Sequence, residues 1–224
     1  MPSSSSQTFL RELDKKLWTA ADRLRSNLDA AVYKHAVLGL IFLKYVSDSF
    51  AQRQAQVEAM LKDPDSDYFI DPKGYGNAFS EKYAEAIHAE LEERDYYIEK
   101  NVFWVPALAR WKTLQDAAKL PPGTEILKER GRLAHSYKIT STGKLIDDAL
   151  EAIEKENVNG AERHRRPSNV ARRVRAGARI KLKGVLDRRY PQLPIDPANL
   201  SSLIDLIASI PFQHADLHAK DILN

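Results

Sequence analysis

Leu13, Leu17, Ala20, Leu24 and Leu28 recur at steps of four, three, four and four, while Glu12, Lys15, Asp22 and Arg25 take the opposite side. That spacing predicts an amphipathic helix. Asn27 and Asp29 punctuate its end, and the Asp29 carboxylate can cap the helix that follows. From Val37 to Val46 the chain is apolar nearly all round, which predicts a central core helix running to about Phe50 and onward through Gln52 to Leu61. Gly39 inside it is about 1 kcal/mol less favourable than alanine, so its position predicts close packing of another group against that backbone. Lys34, His35 and Lys44 are expected at the edge of this helix, in water.

Asp63 to Ala78 carries Pro64, Pro72, Gly74 and Gly76 and reads as a loop. Ser80 can cap a helix on which Phe79, Tyr83, Ile87 and Leu91 recur every four residues. Tyr96 to Val105 gathers aromatic and β-branched residues, the composition of a short strand or extended segment. Pro106 suits a first helical turn, with Leu108, Trp111, Leu114 and Ala118 as the inner face. Pro121-Pro122-Gly123 stops that helix, and Thr124 to Thr142 is ambiguous. Lys144 to Lys155 is again helical, with Leu145, Ile146, Ala149, Leu150 and Ile153 inward. Asp196-Pro197 is a cap followed by a first turn, and Leu200, Leu203, Ile204, Ile207 and Ile210 share one face. The expected fold is mainly α: a multi-helix, bundle-like domain with at most a short strand or hairpin and long loops.

The chain has 224 residues, enough to bury a sizeable core, and no cysteine. That excludes a disulfide scaffold, a thiolate metal site and a cysteine nucleophile. No apolar run reaches the roughly 20 residues needed to span a bilayer. The Met1-Pro2-Ser3-Ser4-Ser5-Ser6 start has neither the basic nor the apolar part of a signal peptide, so a cytoplasmic protein with no membrane role is expected. There is no Gly-x-Ser-x-Gly elbow and no phosphate-binding glycine loop. Gly74-Tyr75-Gly76 lacks a third glycine and a preceding strand. The Asp/Asn-Pro-Pro-Tyr/Phe tetrapeptide that grips a target amine in amino-directed DNA methyltransferases is missing too. His214 and His218, four apart with Asp216 and Asp221 nearby, could share a helical face, but no distant third ligand is identifiable and no metal is expected. No catalytic or cofactor-binding residue is assigned. Trp18, Trp104 and Trp111 sit on or beside apolar faces and are expected in the core.

Charge is unevenly spread. The whole chain carries +3, yet Gly160 to Tyr190 holds nine Arg and two Lys against Glu162 and Asp187, a local +9. Arg163, Arg165 and Arg166 form one cluster, and Arg172, Arg173, Arg175 and Arg179 a second, with Lys181 and Lys183 following. Arginine forks pair bidentately with phosphate, and neutralising phosphates gives salt-sensitive, sequence-independent affinity. These nine residues are the candidate DNA contacts. No aromatic lies among them, so base stacking is not indicated. The competing reading is a solvated basic loop.

Longer blocks carry a resemblance. Leu17-Trp18-Thr19-Ala20-Ala21-Asp22-Arg23-Leu24-Arg25, then Tyr33-Lys34-His35-Ala36-Val37-Leu38-Gly39-Leu40-Ile41-Phe42-Leu43-Lys44-Tyr45-Val46-Ser47-Asp48, closely resemble the N-terminal helical domain of the methylation (M) subunit of type I restriction-modification systems. The similarity resumes at Phe103-Trp104-Val105-Pro106 with Ala109-Arg110-Trp111, and at Gly143-Lys144-Leu145-Ile146-Asp147-Asp148-Ala149 through Ile153-Glu154. It returns at Leu182-Lys183-Gly184-Val185-Leu186 and Leu203-Ile204-Asp205-Leu206-Ile207.

The resemblance implies a helical domain preceding a Rossmann-like methyltransferase domain that binds S-adenosylmethionine and methylates adenine N6 in DNA. It implies a second M subunit, a specificity subunit and a restriction subunit as partners, with double-stranded DNA clamped between them. The expected layout is a disordered tail at 1–8, the helical assembly and DNA-clamp domain at 9–214, and a linker start at 215–224 near Lys220-Asp221-Ile222-Leu223. On this expectation the chain alone is catalytically silent and holds no cofactor, while the full-length protein is the enzyme. Two stretches look longer than the family pattern, one from Pro121 to Ser141 and one from Asn157 to Ile180. The second holds most of the basic insertion near 157–181, and the family pattern fixes no individual DNA contact. The rival of a different class is a stand-alone helical protein–protein interaction or regulatory module without nucleic-acid binding.

Overall fold

A computed structural model describes residues 15, 30–127, 136–158 and 188–210. The predicted helix bearing Leu13 to Leu28 and the Asp29 cap lie outside the described residues, apart from Lys15. Six helices are described: α1 (Ala30–Lys62), α2 (Glu81–Leu91), α3 (Asp95–Ile98), α4 (Trp111–Ala117), α5 (Thr142–Val158) and α6 (Pro197–Ala208). Among the described residues the one sheet pairs β1 (Glu125–Ile126) with β2 (Tyr137–Lys138) antiparallel, Glu125 opposite Lys138 and Ile126 opposite Tyr137. The mainly α expectation holds, and the ambiguous Thr124 to Thr142 stretch contains this hairpin ladder.

The chain divides into two compact units, one from Met1–Asp48, Val105–Lys155 and Leu182–Asn224, the other from Ser49–Trp104 and Glu156–Lys181. The first buries the apolar part of α1: Ala36, Val37, Leu40, Ile41, Phe42, Leu43 and Val46 are all at most 4% exposed. Leu145, Ile146, Ala149, Leu150 and Ile153 of α5 are fully buried, as their spacing predicts. A fully buried aliphatic side chain of this size contributes about 1.5–3 kcal/mol. α4 packs on α6, whose Leu200, Leu203, Ile204 and Ile207 face inward. Polar contacts fix that pairing: Gln115 Nε2 donates to Asp205 Oδ1 (2.7 Å), and Ser201 Oγ donates to the Ala118 carbonyl (2.8 Å). The Asp196 carboxylate accepts from Ala198 N at 2.8 Å, the cap its sequence predicts.

The second unit is built on aromatic packing. Phe50 stacks on Tyr97 (centroids 4.5 Å apart, 12° between planes), and Trp104 meets both rings edge-on at 5.3 and 5.1 Å. Such pairs add roughly 0.5–1.5 kcal/mol each beyond the area they bury. Buried Arg53 donates from Nε to the Tyr96 carbonyl (2.9 Å) and lies 3.7 Å from Glu99. Ser80 caps α2 by accepting from Tyr83 N (3.2 Å).

Three expectations need correction. Asp95–Ile98 is one helical turn, not a strand, and Val102 to Pro106 has no regular structure. The β-prone composition of this stretch reflects what it packs against, because Tyr96 and Tyr97 are fully buried aromatics. Phe79 is not on the inner face of α2. It precedes the cap and is 98% exposed. Lys44 does not meet water: it is buried, paired with Asp48 one turn on, and its ammonium lies 5.9 Å from the Trp111 ring centroid.

Candidate functional site

The nine candidate phosphate contacts, Arg163, Arg165, Arg166, Arg172, Arg173, Arg175, Arg179, Lys181 and Lys183, lie outside the described residues, as do His214 and His218. The residues flanking the basic segment are described, and both flanks are held.

Upstream, in the second unit, the chain leaves α5 through Glu156 and Asn157. The Asn157 side chain pairs twice with one residue. Its Oδ1 accepts from Trp104 N and its Nδ2 donates to the Trp104 carbonyl, each at 2.9 Å. A primary amide matches the donor–acceptor edge of a peptide, so one side chain satisfies both backbone groups of a buried residue. Beside it the Arg94 guanidinium lies 5.5 Å from the Trp104 ring centroid and pairs with the Glu156 carboxylate. The cation thus has an aromatic face and a carboxylate at once.

Downstream, in the first unit, Arg188 reaches Glu151 and Glu154 of α5 at 3.7 and 3.8 Å. The Lys155 hydrogen bond, reinforced by the Arg188 charge, holds the Glu151 carboxyl below its usual range. Two residues on, Tyr190 is buried. Its N–H donates to Asp147 Oδ1 (3.2 Å) and its hydroxyl donates to the Ala36 carbonyl (2.6 Å). Burial pushes the Asp147 carboxyl up, and the Tyr190 N–H partly offsets that.

Two glycines admit Tyr190. A Cβ on Gly39 would stand 2.4 Å from Tyr190 Oη, and one on Gly143 would stand 2.9 Å from the Tyr190 carbonyl carbon and oxygen. The close approach predicted at Gly39 is therefore real, and the approaching group is Tyr190. Hydrophobic periodicity missed Tyr190 and Asn157. The available signals were a glycine in an apolar helix and a second glycine opening α5.

The described residues hold no group of three or more His, Asp or Glu placed for a metal ion. Trp104 and Trp111 are core residues, each 6% exposed, rather than stacking platforms. No helix among the described residues is long and apolar enough to cross a membrane. Asn157 and Tyr190 are each held within their own unit.

Comparison with known proteins gives a consistent picture. Residues 13–207 match the family described as the HsdM N-terminal domain. The chain is 26% identical over 202 residues to the type I restriction enzyme MjaIX methylase subunit of Methanocaldococcus jannaschii, covering 90% of this chain and 27% of that protein. It is 32% identical over 126 residues to the type I restriction enzyme HindI methylase subunit of Haemophilus influenzae, covering 53% of this chain and 22% of that protein. The chain thus spans about a quarter of the length of these relatives.

Proposed function

This chain belongs to the HsdM N-terminal domain family, and we propose that it is the assembly and DNA-clamping domain of a type I DNA adenine-N6 methyltransferase subunit. One observation carries the DNA part. Gly160 to Tyr190 holds nine Arg and two Lys against Glu162 and Asp187, a local +9. Arg163, Arg165, Arg166, Arg172, Arg173, Arg175, Arg179, Lys181 and Lys183 would hold backbone phosphates, positioning the duplex without reading its sequence. Exposed helix faces of 9–214 would dock a second M subunit, a specificity subunit and a restriction subunit.

S-adenosylmethionine would supply the methyl group in the full-length protein, in a further domain beyond the linker at 215–224. The described residues do not fit a site for it. Each strand is two residues long, and the turn from β2 into α5, residues 139–141, contains no glycine to bring backbone N–H groups onto a ligand. The one glycine in the first turn of α5, Gly143, is covered by Tyr190.

A salt titration tests the proposal. Duplex binding by the full-length subunit in its complex is followed by fluorescence anisotropy across salt concentrations, for wild type and for Arg172→Ala/Arg173→Ala/Arg175→Ala together. Loss of three phosphate contacts makes the slope of log affinity on log salt shallower by about 2.7. Unchanged affinity and slope in the triple variant would remove this segment from DNA binding.

A further inference from the structure

Phe79 is 98% exposed, and Tyr75, four residues earlier, is 39% exposed. The loop that presents Phe79 is held by its own hydrogen bonds. Asp71 Oδ1 accepts from Lys73 N (2.9 Å), Asn77 Oδ1 accepts from Phe79 N (2.9 Å), and Ser80 Oγ donates to the Tyr75 carbonyl (2.8 Å). Gly76, at φ 100°, makes the turn that only glycine adopts freely. Asn77 and Ser80 thus fix the backbone on either side of a large apolar ring standing in water. Scattered apolar side chains on a surface are ordinary, but a wholly exposed aromatic on a pinned turn is preorganised for burial in something else.

The surrounding charge identifies the occupant. Between Asp63 and Asp95, ten Asp and Glu stand against Lys73, Lys82 and Arg94, a local net of −7. Asp63, Asp65 and Asp71 before the tip and Glu81 and Glu85 after it are exposed, against exposed Lys73 and Lys82. A surface of this sign repels a phosphate backbone, so Phe79 is not placed to stack on a nucleobase. We propose that Tyr75, Ala78 and Phe79 form a docking tip for a partner protein whose apolar socket is rimmed by lysine and arginine side chains. The aromatic ring supplies the anchor that dominates such interfaces. The excess of carboxylates in the flanking sequence sets orientation and raises the association rate. The site lies within the second unit and contains none of the nine candidate phosphate contacts.

The test places a photo-crosslinker at the tip. Phe79 is replaced by p-benzoylphenylalanine in the native gene product within its source cell, and adducts are identified by mass. The expected adduct is a peptide of a different protein that joins apolar residues to lysine or arginine. Its yield should fall about tenfold when Glu81→Lys and Glu85→Lys are added, as expected when rim attraction becomes repulsion. With that partner purified, Phe79→Ala should weaken binding about thirtyfold, the loss typical of a truncated anchor, and Phe79→Trp should restore most of it. Because Phe79 makes no buried contact, circular dichroism of Phe79→Ala should match wild type. An adduct with DNA, an adduct with a second copy of this chain, no adduct, or a yield indifferent to charge reversal would each overturn the proposal.

Discussion

Tyr190 donates its phenolic hydrogen bond to the Ala36 carbonyl, 2.6 Å away and 154 residues earlier in the chain. The bond lands on α1 one turn before Gly39, and the Tyr190 backbone lies against Gly143 at the start of α5. One residue thus uses its hydroxyl, ring and backbone to join α1 and α5 within the first unit. It does so at the point where the chain returns from the basic segment.

Gly39→Ala is expected to destabilise the protein by about 1–3 kcal/mol, although helix propensity alone favours alanine by about 1 kcal/mol. The added Cβ would meet Tyr190 Oη at 2.4 Å, and the tyrosine is pinned at both its hydroxyl and its N–H. Tyr190→Phe removes the obstructing oxygen, so the Gly39→Ala penalty should shrink in that background. Thermal melts of the double-mutant cycle decide it, and a raised melting temperature for Gly39→Ala alone would contradict the packing.

Asn157→Leu removes a donor and an acceptor from the buried Trp104 backbone at once. Each lost pairing leaves a desolvated group, so a loss of about 2–4 kcal/mol is expected in chemical denaturation. Asn157→Asp keeps the acceptor for Trp104 N–H and should lose less. Hydrogen exchange at the Trp104 amide should quicken in the leucine variant and change little in the aspartate variant.

Asp147 gives a pH signature. Burial raises its carboxyl in the folded state, so the proton binds more readily there than in the unfolded chain. Its contribution to stability is therefore present below the ordinary carboxylate range and is lost as pH rises through the folded value. Asp147→Asn retains an oxygen to accept from Tyr190 N–H and carries no charge. The stability of Asp147→Asn relative to wild type should rise from pH 3 to pH 7, followed by denaturant midpoint. A flat difference would mean that the carboxylate is not desolvated.

Tyr96 works at the other end of the scale. Burial, then its hydrogen bond to Glu90 (2.9 Å), hold its hydroxyl far above the usual tyrosine range. Stability should therefore fall as pH rises beyond about 10, where an unfolded tyrosine ionises and this one cannot. Tyr96→Phe should flatten that alkaline limb. It should also lower neutral stability by about 1–3 kcal/mol, since the buried Glu90 carboxylate loses a donor. Ultraviolet titration at 295 nm should show Tyr96 ionising only with unfolding.

The sequence was most legible where structure is local. Spacing in Leu145, Ile146, Ala149, Leu150 and Ile153 predicts α5 and its buried face, because a helix brings residues three and four apart together whatever else the chain does. The caps at Ser80 and Asp196 follow from chemistry within three residues. Phe79 shows the limit: it continues a four-residue period but stands before the cap, where the backbone is no longer helical. Lys44 shows another, since a lysine in an apolar run reads as an edge residue until Asp48 and Trp111 are seen around it. The nine basic residues are legible as charge, which needs no fold to be counted.

The sequence by itself determined five of the six described helices, most of their apolar faces and the charge asymmetry, and its ordered blocks carried the family resemblance. The helices, faces and charge follow from covalent neighbours or from composition. Only the tertiary structure decided that Tyr190 occupies the space left by Gly39 and Gly143, that Asn157 mirrors the backbone of Trp104, and that Phe79 is left in water. Those outcomes depend on which distant segment arrives at a surface. A glycine records that something comes close, but the chain carries no local trace of what.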